Sequence, residues 1–202
     1  MRKGVQRIAL TGGIATGKSH VRARLEASGI PTIDADVLAR QAVAPGTAGL
    51  EEVRCRFGPA VVGPDGTLDR KALAHIAFSD PAARADLERI IHPQVRQAID
   101  DWFQLLLRSD RPLGVADIPL LFETGRHRDF DAVIVAACHP AAQLRRLMAR
   151  DSLDEADARQ RIAAQLPIEE KVRQADYVIR TDGTPAETDA QVDRLATLLR
   201  AR

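Results

Sequence analysis

The 202-residue chain has no asparagine, only four lysines (Lys3, Lys18, Lys71 and Lys171) and two cysteines. Without asparagine it cannot carry the asparagine-lysine-x-aspartate base reader of a GTPase, and no aspartate has a glycine three residues on, as a GTPase switch segment requires. A nucleotide-dependent switch is therefore disfavoured. Lysine is scarce among 29 cationic residues, which reads as a coding bias toward arginine, so arginine number alone says nothing about polyanion binding. Cys55 and Cys138 lie far apart, in no metal or redox spacing. Cys138 ends an apolar run, where a small buried hydrophobe is the default, and nothing points to an oxidising compartment. No stretch approaches the roughly 18 apolar residues of a membrane span. Residues Met1–Arg7 are basic, but the apolar run after them is too short for a secretory signal. A formal net charge of +1 gives no global field toward nucleic acid or membrane, so neither is an expected partner. The expected location is cytoplasmic, and the expected state a monomer or small homo-oligomer.

What is present is ordinary for a globular protein: 45% hydrophobic and 28% charged residues. The length suits one α/β domain with insertions, or a core plus a small subdomain. Short apolar runs at Ile8–Leu10, Thr32–Asp34, Leu113–Asp117, Asp131–Ala137 and Tyr177–Arg180 read as strands. Strands that short and that apolar, alternating with helical stretches, predict a parallel sheet buried on both faces. From Val37 to Arg111 no buried strand is evident. That segment reads as helices over Val37–Val43, Ala48–Phe57, Arg70–Phe78 after an Asp69 cap, and Ala82–Leu107, with a turn-rich Gly58–Thr67 between. Pro93 is expected to break the last of these or start a fresh one. Downstream, Ala141–Arg150 is a mostly basic helix leading through an acidic patch to another helix ending at Gln165. Thr184-Pro185-Ala186-Glu187 is a capping box with proline at the first helical position, ahead of an amphipathic helix to Leu199.

The chemistry concentrates at the first strand–helix junction. Gly12-Gly13-Ile14-Ala15-Thr16-Gly17-Lys18-Ser19 matches the phosphate-binding loop pattern in full, with a strand before it and a helix after. Glycines let backbone N–H groups curl round a phosphate with no Cβ in the way. The helix N-terminus adds about half a positive charge. Lys18 is expected to reach the β/γ-phosphates and the Ser19 hydroxyl to hold Mg²⁺. The substrate is thus a nucleoside triphosphate.

Asp34 and Asp36 stand at the end of the second strand, where ligands of such sheets bind. One carboxylate there could accept the proton of an attacking hydroxyl, and the other hold a magnesium-bound water or orient Arg40; capping the following helix is the structural alternative for one of them. Asp117 ends the third strand and is either a Mg²⁺-site residue or a turn aspartate. Among Arg145, Arg146, Arg150, Arg159 and Arg161, the pair Arg146 and Arg150 shares a helical face. Arg150 is the candidate for charge stabilisation from a lid, while most of the set reads as a solvated charged face. His92 either meets a phosphate or ribose of the acceptor or caps a helix begun at Pro93. Trp102 and Phe103 read as core.

Taken in order, GGIATGKS, Ile33-Asp34-Ala35-Asp36 with Arg40, Pro45-Gly46, Asp65-Gly66-Thr67-Leu68-Asp69-Arg70, Ile91-His92-Pro93, Pro119-Leu120-Leu121-Phe122-Glu123, Gln143–Arg150, Gln165 and Ala175-Asp176 resemble the dephospho-coenzyme A kinase family over nearly the whole chain. The resemblance implies a phosphate-binding-loop nucleoside triphosphate hydrolase-like α/β fold: a five-stranded parallel sheet flanked by helices, with a helical acceptor insertion and a lid. It implies a nucleotide core over 1–36, 112–140 and 166–202, an acceptor domain over 37–111 and a lid over 141–165. By resemblance the reaction is ATP-dependent phosphorylation of the ribose 3′-hydroxyl of dephospho-coenzyme A, with Mg²⁺. Asp36 is then the base, and Lys18 and the loop residues with Arg146 bind ATP. Arg150 belongs to the lid, and Ser19 and Asp117 hold the metal. Asp34, Arg40, His92, Pro119, Leu120 and Glu123 lie on the acceptor side. The chain departs from the family pattern at Ala15 and Thr16, where glycine and serine are usual, at His20, where threonine is usual, and at Thr181, where an asparagine is expected. A nucleoside monophosphate or other small-metabolite kinase on the same core is the second reading.

Overall fold

The computed structural model describes residues 4–201, so the first three residues and the last one of the expected core lie outside the described residues. The chain forms two compact units: the described residues up to Ile33 together with those from Phe103 onward, and Asp34–Trp102.

In the first unit the strands β1 (Gln6–Gly12), β2 (Thr32–Asp34), β3 (Leu113–Asp117), β4 (Ala132–Ala137) and β5 (Tyr177–Arg180) make one sheet in the order β2-β3-β1-β4-β5. β1 runs parallel to both its neighbours, with Leu10 level with Asp117 on one side and Ile134 on the other. Every residue of β3 and β4 is buried. Both faces are covered, which is why these strands read as unbroken apolar runs rather than alternating ones. From β1 the chain crosses through α1 (Lys18–Ala27) to β2 on one side, while β4 joins β1 on the other. A ligand crevice in an open parallel sheet is expected where connections part in this way, at the carboxyl end of β1. The core combines Ile8, Leu10, Ile134 and Ile179 of the sheet with Val21 and Leu25 of α1 and Val192, Leu195 and Leu199 of α9 (Pro185–Arg200). Three further helices precede β5 or follow β4: α6 (Pro140–Asp151), α7 (Glu155–Ala163) and α8 (Ile168–Arg173).

The second unit holds α2 (Ala35–Ala42), α3 (Ala48–Phe57), α4 (Arg70–Ser79) and most of α5 (Pro81–Arg108). Its core is Val43, Val53, Val61 and Leu73, flanked by Leu68, Leu87, Ile90 and Ile91. The turn-rich stretch between α3 and α4 is closed by an antiparallel bridge from Val62 to Leu68.

The expected break at Pro93 does not occur: α5 runs through it without interruption. A helix-interior proline costs about 3 kcal/mol through one missing N–H donor and a ring clash. Burying a large aliphatic side chain is worth about 1.5–3 kcal/mol, and α5 buries Val95 and Ile99 beyond the proline while packing Leu87, Ile90 and Ile91 before it. Packing outweighs the breaker. His92 is consequently an exposed residue inside a helix and caps nothing.

Candidate functional site

Six helices begin with a side chain accepting from the first-turn N–H groups: Asp34 for α2, Thr47 for α3, Asp69 for α4, His139 for α6, Asp154 for α7 and Thr184, in a full capping box, for α9. The helix α1, like α8, begins without one. Its N-cap is Gly17, at φ 87°, and among the described residues no side chain caps it. The His20 N–H donates to the Gly17 carbonyl at 3.0 Å, and no described side chain takes the N–H groups of Lys18 and Ser19 before it. The loop before it admits no Cβ at Gly12, where backbone stands in the way, and at Gly13 only if the Gln143 side chain moves. One on Gly12 would stand 2.6 Å from the Ala136 carbonyl oxygen, and one on Gly13 would stand 2.7 Å from Gln143 Nε2. Ala15 takes the left-handed conformation, φ 58°, that glycine adopts without strain.

Side chains distant in sequence hold this loop. The Ile14 N–H donates to Gln165 Oε1 at 2.7 Å, and Gln143 Nε2 donates to the Ile14 carbonyl at 2.8 Å. On the other side the Thr181 hydroxyl donates to the Thr16 carbonyl at 2.6 Å. Arg146 in turn donates to the Thr181 hydroxyl (3.1 Å) and carbonyl (2.5 Å). The departure from asparagine at Thr181 is thus a buried hydroxyl linking the arginine to the loop. His20, another departure, meets Asp189 at 2.8 Å on the surface.

Lys18, at the start of α1, donates to Asp117 Oδ1, and the Arg22 guanidinium lies 3.9 Å from the other carboxylate oxygen. Asp117 is 2% exposed, at the carboxyl end of β3. Ser19 is exposed in the first turn of α1. Loop, lysine, hydroxyl and carboxylate therefore come together at one end of the sheet. Pro119, Leu120 and Glu123 follow β3 in a turn. The Glu123 carboxylate accepts from the Leu166 N–H at 3.0 Å and pairs with Lys171 at 2.7 Å. No motif in the sequence assigns Lys171 a role.

Arg150 ends α6, on the helical face that Arg146 shares, and pairs with Asp151 at 2.7 Å. The contact pushes the guanidinium up and holds the Asp151 carboxyl below its ordinary range. Arg161 meets Asp151 and Arg159 meets Glu155, as a solvated charged face would. Burial pushes the Cys138 thiol up, consistent with its place in the core.

In the second unit Asp34 Oδ1 accepts from the N–H groups of Asp36 (2.8 Å) and Val37 (3.3 Å) and so caps α2. Asp36 is exposed in the first turn of that helix. It lines a cavity of about 340 Å³ with Arg40 and Arg70, whose remaining wall is mostly apolar, Leu68, Leu73, Leu87 and Ile91 among it. A carboxylate, two guanidiniums and an aliphatic wall suit an organic anion with an apolar portion. His92 is not among the residues lining it.

Comparison with known proteins places this geometry. The dephospho-CoA kinase (CoaE) family model matches residues 6–187. A dephospho-CoA kinase of Anaeromyxobacter dehalogenans is 49% identical over 96% of this chain and 92% of its own. Among solved structures, a Thermus thermophilus protein superposes with a TM-score of 0.82 at 35% identity, covering 98% of both chains. A dephospho-CoA kinase from Campylobacter jejuni does so with 0.75 at 28%, over 96% of this chain and 98% of that one. The chain therefore belongs to the dephospho-CoA kinase family, whose members phosphorylate dephospho-CoA to coenzyme A in the last step of coenzyme A synthesis.

Proposed function

We infer that the chain transfers the γ-phosphoryl group of ATP to the ribose 3′-hydroxyl of dephospho-CoA, with roles divided as follows. The N–H groups of the Gly12–Ser19 loop and of the α1 N-terminus receive the phosphates, and Lys18 moves part of its charge from Asp117 to the β/γ-phosphates. Arg146, fixed by Thr181, lies on the nucleotide side. Asp36 accepts the proton of the attacking hydroxyl. Asp34 holds Asp36 in place by capping α2, and the Asp36 cavity with Arg40 takes part of the acceptor; His92, Pro119, Leu120 and Glu123 serve the acceptor side as well. Residues 37–111 act as the acceptor domain, 141–165 as a lid that carries Arg150, and the remainder as the nucleotide core. Arg150 exchanges Asp151 for the transferring group, where its charge counts most in the transition state.

Mg²⁺ fits the oxygens available. Among the described residues no three acidic, histidine or cysteine side chains gather into a site, and magnesium is usually held by one or two carboxylates together with substrate phosphates. Ser19 and Asp117 offer one hydroxyl and one buried carboxylate. When bound there, the ion neutralises charge on the β- and γ-oxygens. We place the protein in the cytoplasm as a monomer or small homo-oligomer; no helix among the described residues is long and apolar enough to cross a membrane.

The observation that carries the reading is the loop itself: no room for a Cβ at Gly12 against the Ala136 carbonyl, no capping side chain on α1, and a lysine at its first position. An acceptor panel with ATP consumption as readout tests it. Rapid turnover is expected on dephospho-CoA. Turnover on a nucleoside monophosphate with none on dephospho-CoA would overturn the assignment in favour of the second kinase reading.

A further inference from the structure

Lys171 is the largest fully buried side chain among the described residues. It stands on α8, and its ammonium meets three acceptors: Glu123 Oε1 at 2.7 Å, the Gly12 carbonyl at 3.3 Å and the Pro119 carbonyl at 3.5 Å. Three acceptors match the three N–H donors of an ammonium. They come from separate parts of the first unit. Gly12 ends β1 and opens the phosphate loop. Pro119 follows β3, and its carbonyl also accepts from the Thr11 hydroxyl at 3.1 Å. Glu123 also takes the N–H of Leu166, next to the Gln165 that holds Ile14.

Burying an ion pair is a poor route to stability, because well-packed apolar side chains of the same volume serve as well or better. An apolar side chain cannot, however, bond the Gly12 carbonyl. The peptide between Gly12 and Gly13 is planar and trans, so fixing that carbonyl toward Lys171 turns the Gly13 N–H to the opposite side, away from the ammonium. In a chain where only four of 29 cationic residues are lysine, both the loop cation and this interior cation are lysine. A compact ammonium fits a site with three convergent oxygens, whereas the planar fork of arginine does not.

We propose that Lys171 is a positioning residue for nucleotide binding. It sets the first peptide of the phosphate loop against the turn after β3, and through Glu123 it ties the segment after α7 to both. The proposal rests on the reading that the loop holds ATP.

The test is steady-state kinetics with ATP and dephospho-CoA on the full chain, beside thermal unfolding of the same preparations. A wild-type chain without ATP-dependent phosphorylation would sink the functional reading itself, whatever Lys171 does. Given wild-type turnover, Lys171→Met should raise KM for ATP about tenfold, the effect of losing one charge-assisted hydrogen bond. Its kcat and its KM for dephospho-CoA should stay within about threefold. Where Lys171→Met fails to fold, with Glu123 left buried and unpaired, the double variant Lys171→Met/Glu123→Leu removes both charges and should show the same ATP defect. An ATP KM near wild type in the double variant overturns the proposal. So does an equal rise for both substrates in Lys171→Met, or the failure of both Lys171 variants to fold, since either makes the residue a general structural one.

Discussion

Thr181→Val changes the support of the phosphate loop while keeping the side chain's shape. Thr181 is 5% exposed, and its hydroxyl donates to the Thr16 carbonyl at 2.6 Å and accepts from Arg146 at 3.1 Å. Valine leaves the carbonyl of a fully buried residue without that donor, a loss of about 1–3 kcal/mol. Arg146 keeps its bond to the Thr181 carbonyl and is half-buried, so water recovers most of what its other nitrogen loses. The net is about 2 kcal/mol, which for a chain of this length lowers the unfolding temperature by about 4–8 °C. The Thr16 carbonyl directly precedes Gly17, the cap of α1, so the slackened loop should also raise KM for ATP severalfold. Thr181→Ser retains the hydroxyl and should keep wild-type KM at a modest stability cost. Circular dichroism melts and ATP titrations of the three proteins decide the matter. A valine variant melting within about 1 °C of wild type would show that the Thr181 hydroxyl does not support the loop.

Asp36→Asn should reduce kcat about 10²-fold or more with KM for ATP nearly unchanged, the usual result of losing a general base; turnover close to wild type would remove Asp36 from the chemistry. Ala15→Gly relieves a left-handed strain of about 1–2 kcal/mol and gives back about 0.5–1 kcal/mol in chain entropy, so calorimetry should show a melting point slightly raised rather than lowered. Asp86 is held below its ordinary range by Arg56 and Arg89. A depressed carboxyl stabilises fully above its unfolded pKa, about 3.9, and the contribution fades as pH falls through the folded value. Urea midpoints of Asp86→Asn and wild type should therefore differ at pH 7 and draw together as the pH falls below about 3.9, and a gap of constant size would contradict the pairing.

Local patterns were readable in the sequence and distant partnerships were not. The glycine loop, the buried strands, the Asp69 cap and the Thr184 capping box each depend on residues a few positions apart, where spacing encodes geometry directly. Pro93 was misread because breaker chemistry is local while the packing that overrides it is not. Gln143, Gln165 and Thr181 stood out as family positions, but the loop atoms they reach were not legible, for a similar reason. Gln165 reaches Ile14 from 151 residues away, Lys171 reaches Gly12 from 159, and Thr181 reaches Thr16 from 165. For Lys171 the scarcity of lysine was a hint: Lys18 sits in the loop and Lys171 beneath it, while Lys71 is exposed.

The pairing of α1 with α9 has a consequence for synthesis. Val21 and Leu25 are covered by Val192, Leu195 and Leu199, and Arg24 is clasped by Asp193. On the ribosome, the opening helix emerges some 160 residues before the helix that shelters it. Throughout that interval the apolar stripe of the nucleotide-gripping segment stays wet and adhesive. A truncated chain ending before α9 would be a client for chaperones rather than a weak kinase.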